Sequence, residues 1–77
     1  MDKLTLRAIR VNLGLSLDEA STLIGVSKDT LSNYERGDTY PDVPIIKRIE
    51  DVYNISYDKI NFLVNDNDEI VKTQKEG

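Results

Sequence analysis

The sequence predicts an all-α fold, a compact bundle of five short helices, and three observations carry that prediction. Apolar residues recur at helical spacing, most clearly Ile45, Ile46, Ile49, Val52 and Tyr53 at i, i+1, i+4, i+7 and i+8. Residues whose side chains cap free N–H groups stand just before the apolar segments: Ser16, Ser27, Asp42 and Ser56. Residues that take the left-handed backbone conformation cheaply, Gly14, Gly25 and Asn54, stand where such segments should stop.

The first helix is expected from about Lys3 to Asn12, with Leu6, Ile9 and Leu13 as its apolar stripe and Gly14 as its end. Ser16 opens the second, and Glu19 follows at the capping-box spacing, in which hydroxyl and carboxylate satisfy each other's orphan N–H groups. Ala20, Leu23 and Ile24 give that helix its apolar face, and Gly25 ends it. Val26 turns inward, and Ser27 caps a third helix whose Leu31 and Tyr34 lie three apart on one side. Asp42 caps the fourth, with Val43 and Pro44 in its first turn, where proline's missing N–H costs nothing. Asn54 closes it, and Ser56 caps a last short helix carrying Tyr57, Ile60, Leu63 and Val64. The chain is thus expected to fold over residues 1–64, leaving 65–77 as a polar tail. Ile70 and Val71, its apolar residues, would anchor it if it ordered on a partner.

The chain is 77 residues long, with no cysteine and no histidine. Disulfides and thiolate metal sites are therefore excluded, and the commonest general base and metal ligand is missing. No recognisable catalytic constellation is present, so the expectation is a non-enzymatic, cytoplasmic domain without cofactor or metal. No run reaches a membrane span, and the start of the sequence lacks a signal-peptide pattern. The net charge is −4. Residues 1–37 balance Lys3, Arg7, Arg10, Lys28 and Arg36 against Asp2, Asp18, Glu19, Asp29 and Glu35, so the deficit lies wholly in residues 38–77.

Helix, glycine turn, helix over Ser16 to Gly37 is a helix-turn-helix pattern, whose second helix usually enters a DNA groove. The surrounding residues sharpen this. Ile9-Arg10, Gly14-Leu15-Ser16, Asp18-Glu19, Gly25-Val26-Ser27, Leu31 through Gly37, and Tyr40-Pro41-Asp42-Val43-Pro44 occur in the order found in the Cro and phage-repressor family of DNA-binding domains. From about Leu6 to Leu63 the chain resembles that family. The resemblance implies a lambda-repressor-like fold and a transcriptional regulator, a repressor or Cro-like switch protein, that binds an operator in double-stranded DNA.

With Leu31 and Tyr34 turned inward, Lys28, Asp29, Ser32, Asn33 and Arg36 point outward. Lys28 suits guanine O6 and N7, and Asn33 suits a paired contact with adenine N6 and N7. Asp29 either accepts from cytosine N4 or orients Lys28 or Arg36. Ser27 and Ser32 suit phosphate or flexible base contacts, and Arg36 suits backbone phosphate. The resemblance adds an ion pair between Arg10 and Glu35, linking the first and third helices beside the DNA surface.

The departures from the family pattern point the other way. Leu17 stands where a phosphate-clamping glutamine is usual, Ala20 where a larger aliphatic residue is common, and Ser21 where alanine is. Asp38 occupies a loop position that is often basic, and with Asp42 it sets negative charge near the expected path of the backbone. Each loss weakens the same electrostatic attraction, so binding by one subunit is expected to be weak and salt-sensitive. Symmetric operators place half-sites about 34 Å apart and match a two-fold dimer, for which Phe62, Leu63 and Val64 are the candidate interface. The competing reading is a helix-turn-helix module that binds another protein, such as a second repressor, rather than DNA.

Overall fold

Side-chain caps start all four α-helices among the described residues. In the computed structural model, which describes residues 3–62, Thr5 Oγ1 accepts from Ala8 N at 3.0 Å and opens α1, Leu6–Asn12. Ser16 and Glu19 form the full capping box of α2, Leu17–Ile24: Glu19 N donates to Ser16 Oγ at 3.0 Å and Ser16 N to Glu19 Oε1 at 2.8 Å. Ser27 caps α3, Lys28–Arg36, through a bond from Thr30 N, and Asp42 caps α4, Val43–Tyr53, through one from Ile45 N. Asn54, at φ 54°, closes α4 in the left-handed region.

Two expectations about the ends of the bundle are corrected. The first helix starts at Leu6 rather than Lys3, because Leu4–Thr5 form a strand, β1. The expected fifth helix is a single 3-10 turn, Tyr57–Lys59, followed by a second strand, β2, Ile60–Asn61. The strands pair in parallel, Leu4 opposite Ile60 and Thr5 opposite Asn61. The fold is therefore mostly helical, with four α-helices among the described residues and a small two-stranded sheet joining the ends of that segment. Ser56 does not cap the turn through its side chain. Tyr57 N donates instead to Glu50 Oε2 at 2.7 Å, so α4 supplies the acceptor. The Ser56 hydroxyl bonds the Asp58 carboxyl and holds its pKa below the ordinary value.

The core is formed by Leu6, Ile9, Ala20, Ile24, Leu31, Ile49, Tyr53 and Ile60, with Leu15, Leu17, Val26, Tyr34, Ile45, Val52, Ile55 and Phe62 packed around it. Of the described residues assigned to apolar stripes, Leu13, Leu23, Ile46 and Tyr57 are not among these. Leu13 follows the last turn of α1 and is exposed, and Leu23 is 58% exposed on the far face of α2. Ser21 takes the inner position instead, buried, with its hydroxyl donating to Asp18 O at 2.9 Å, so burial strands no polar atom. Beside it Ala20 is fully buried, and its small side chain lets α2 approach its neighbours closely.

Gly25 fixes the corner between α2 and α3. Its φ of 93° is one that L-residues rarely adopt, and a Cβ there would stand 2.9 Å from Arg48 Nη1. Arg48 reaches across from α4 and donates to Ile24 O at 3.5 Å, placing a cation at the C-terminal end of α2, where the helix dipole favours positive charge.

Candidate nucleic-acid interface

The corner at Gly25 leaves α3 with one buried side and one side to solvent. Leu31 is fully buried and Tyr34 packs against the core, while Lys28 and Asp29 are exposed at the start of the helix. Ser27 is exposed as well, but its hydroxyl is committed: it accepts from Thr30 N at 3.0 Å and donates to Thr30 Oγ1 at 2.8 Å. Ser27 therefore positions the helix start, and Thr30 is its partner.

The second half of the face is organised around Arg36. Its Nε donates to Asp38 Oδ2 at 3.0 Å, its Nη1 to Ser32 Oγ at 2.6 Å and its Nη2 to Asn33 Oδ1. One guanidinium thus joins Ser32, Asn33 and Asp38 into a single polar network on exposed surface. Arg36 and Asp38 are about half exposed, so the pair itself adds little stability. Its effect is on orientation. Asp38, expected to repel phosphate, instead draws the arginine expected to meet phosphate.

Behind α3 the Arg10 guanidinium makes a two-pronged contact with Glu35, Nε to Oε2 at 2.6 Å and Nη2 to Oε1 at 3.1 Å. Its Nη1 also donates to Leu15 O at 3.0 Å, so one side chain ties α1, the loop before α2, and α3. The hydrogen bond to Glu35 outweighs desolvation and raises the Arg10 pKa further. The neighbouring Tyr53 hydroxyl is buried with no hydrogen-bond partner, and burial followed by the charge of Glu35 pushes its pKa up to about 12. A cleft of about 260 Å³ opens between α1 and α3, lined by Arg7, Arg10, Ser32, Glu35 and Arg36.

The structure therefore brings Ser32, Asn33 and Arg36 together, and places Lys28 and Asp29 on the exposed first turn. Leu17 packs against the core, which accounts for a leucine at that position in terms of packing. Phe62 also packs there, stacked on Tyr57 with ring centroids 5.4 Å apart. Leu63, Val64 and the 65–77 tail lie outside the described residues. Sequence reasoning missed Arg7, Thr30 and Arg48. Arg7 was within reach of it, since it stands three residues before Arg10 and so shares a helix face.

Comparison with known proteins decides the family. A family model described as helix-turn-helix matches residues 6–60, well over half of the chain. The chain belongs to the helix-turn-helix family, in its Cro/C1-type branch. A protein of Pyrococcus abyssi (strain GE5 / Orsay), provisionally named an HTH-type transcriptional regulatory protein, is 34% identical over 76 residues. The match covers 97% of this chain and 24% of that protein, so this helix-turn-helix domain spans about a quarter of its relative's length. Among the described residues of the domain, no group of acidic side chains is arranged to hold a metal ion, and no helix is long and apolar enough to cross a membrane.

Proposed function

We propose that this helix-turn-helix domain is a sequence-specific DNA-binding regulator of transcription, a repressor or Cro-like switch, that lays α3 in the major groove of an operator half-site. The observation that carries the reading is the two-sidedness of α3: Leu31 is sealed in the core, Asp29, Ser32 and Asn33 are turned away from it, and Lys28 is exposed on the first turn, so base-edge donors and acceptors face solvent. Lys28, Asp29 and Asn33 meet bases. Ser32 and Arg36 position the helix against the backbone, with Ser27 holding its first turn. The name of the Pyrococcus abyssi relative agrees with this role. The folded unit, residues 1–64, covers one half-site, and a homodimer through Phe62, Leu63 and Val64 covers two. A DNA-binding regulator of this kind works in the cytoplasm and without a cofactor.

The test is selection of bound sequences from a random duplex pool, at low salt and again at physiological salt. A two-fold-symmetric motif that is lost in Lys28→Ala or Asn33→Ala is the expected result. Absence of any enrichment at either salt would turn the reading to a protein-binding module. One observation favours that second reading: an open apolar cleft of about 410 Å³ between Leu15 and Leu23, edged by Asp18, Glu19 and Thr22.

A further inference from the structure

We infer that Arg36 sets the base preference of Asn33, converting an amide suited to adenine into a donor that selects guanine; this rests on the DNA-binding reading above. Adenine shows an acceptor, N7, beside a donor, N6, in the major groove, so a paired contact needs both the nitrogen and the oxygen of the amide. In the free domain the oxygen is turned away from that pairing, because Asn33 Oδ1 faces Arg36 and accepts from its Nη2. Chemistry fixes which amide atom faces the arginine. A guanidinium offers only donors, so the oxygen must turn toward it and the NH₂ group away.

Ser32 is placed in the same way. Its Oγ accepts from Arg36 Nη1 at 2.6 Å, which leaves its O–H to donate elsewhere. Lys28 can only donate. Ser32 and Asn33 on the outward side of α3 and Lys28 on its exposed first turn therefore all offer donors, and guanine, with O6 and N7 adjacent, is the base edge that offers two acceptors. An adenine in that place would set its N6 donor against the Asn33 donor. Asp29 supplies an acceptor on the same side, suited to N4 of the cytosine paired with a guanine. Asp38 completes the arrangement by holding Arg36 Nε at 3.0 Å, so the guanidinium is fixed from the loop side as well as from α3.

The experiment uses the full chain in the pool selection, comparing the wild type with Asn33→Ala and Arg36→Ala, each shown by circular dichroism to be folded. The position read by Asn33 is the one whose preference flattens in Asn33→Ala. Guanine is expected there for the wild type, with adenine gaining about tenfold relative to guanine in Arg36→Ala. Adenine in the wild-type motif, or a guanine preference untouched by Arg36→Ala, overturns the inference while leaving the DNA-binding reading intact. A second measurement needs no variant: wild-type affinity for the selected duplex should fall about tenfold when that guanine pair becomes an adenine pair. Equal or tighter binding overturns the inference too. If no motif is selected at all, the DNA-binding reading fails and takes the inference with it.

Discussion

Arg10 and Glu35, 25 residues apart in sequence, meet in a two-pronged ion pair whose side chains are only 12% and 8% exposed. Removing one partner would leave the other largely buried and charged. Glu35→Gln is therefore expected to destabilise the domain by about 3 kcal/mol, near the lower end of the range for a broken buried pair. For a chain this size that corresponds to a melting temperature lower by more than about 10 °C. Thermal melting followed by circular dichroism checks it, and an unchanged midpoint would deny the pair a role in stability.

Tyr53→Phe should act in the opposite direction. The hydroxyl it deletes is buried and without a partner, so its loss is expected to stabilise by about 1 kcal/mol in urea unfolding. The pH dependence gives a second signature. A raised tyrosine pKa means stability that is intact below the ordinary value of 10 and lost as pH climbs through about 12. In Tyr53→Phe that alkaline loss should shrink; a variant as alkali-sensitive as the wild type would place the titrating group elsewhere.

At the acid end the capping box is the relevant device. Glu19 has its pKa lowered by hydrogen bonds with Ser16, first through the backbone and then through the side chain. Its contribution is present above the ordinary carboxylate range and fades as pH falls through the lowered value. Asp58, lowered by Ser56, behaves alike. Glu19→Gln should flatten the decline in stability below about pH 5, measured as the urea midpoint against pH. An identical acid limb would show that the box does not depend on the charge.

Asp38→Asn is expected to tighten DNA binding. It removes a negative charge from the rim of α3 while leaving the bonds from Arg36 to Ser32 and Asn33 available. The gain should be severalfold at low salt and should shrink as salt rises, because the Debye length falls to about 8 Å at physiological ionic strength. Fluorescence anisotropy with a selected duplex measures it. Weaker binding in the variant would instead make the hold of Asp38 on Arg36 necessary for docking.

The sequence was most legible where the physics is local. Ser16 with Glu19, Ser27, Asp42, Gly25 and Asn54 each act within a turn of their own position, and each stands where its chemistry predicted. Illegible features involved distant partners. Leu4 and Thr5 read as helix because nothing nearby reveals that they pair with Ile60 and Asn61. The same pairing ends the last turn at Lys59, where apolar spacing alone continues through Ile60. Helical spacing also misled at Leu13 and Leu23, since it marks a face without saying which face is covered. In the candidate site the outward residues of α3 were legible by periodicity, and Arg10 with Glu35 by resemblance. The Arg36 network was not, although Ser32 and Asn33 lie four and three residues before it, the spacings at which helical side chains meet.

The parallel pairing of Leu4–Thr5 with Ile60–Asn61 also has a mechanical meaning. The helices α1 to α4 all lie inside the loop of chain that these two short strands close. Tension applied through the two flanks of the domain would draw β1 backward and β2 forward, loading their backbone hydrogen bonds side by side in shear. The bridge is thus the clamp that bears such a load first, and while it holds, the tension bypasses the recognition helix.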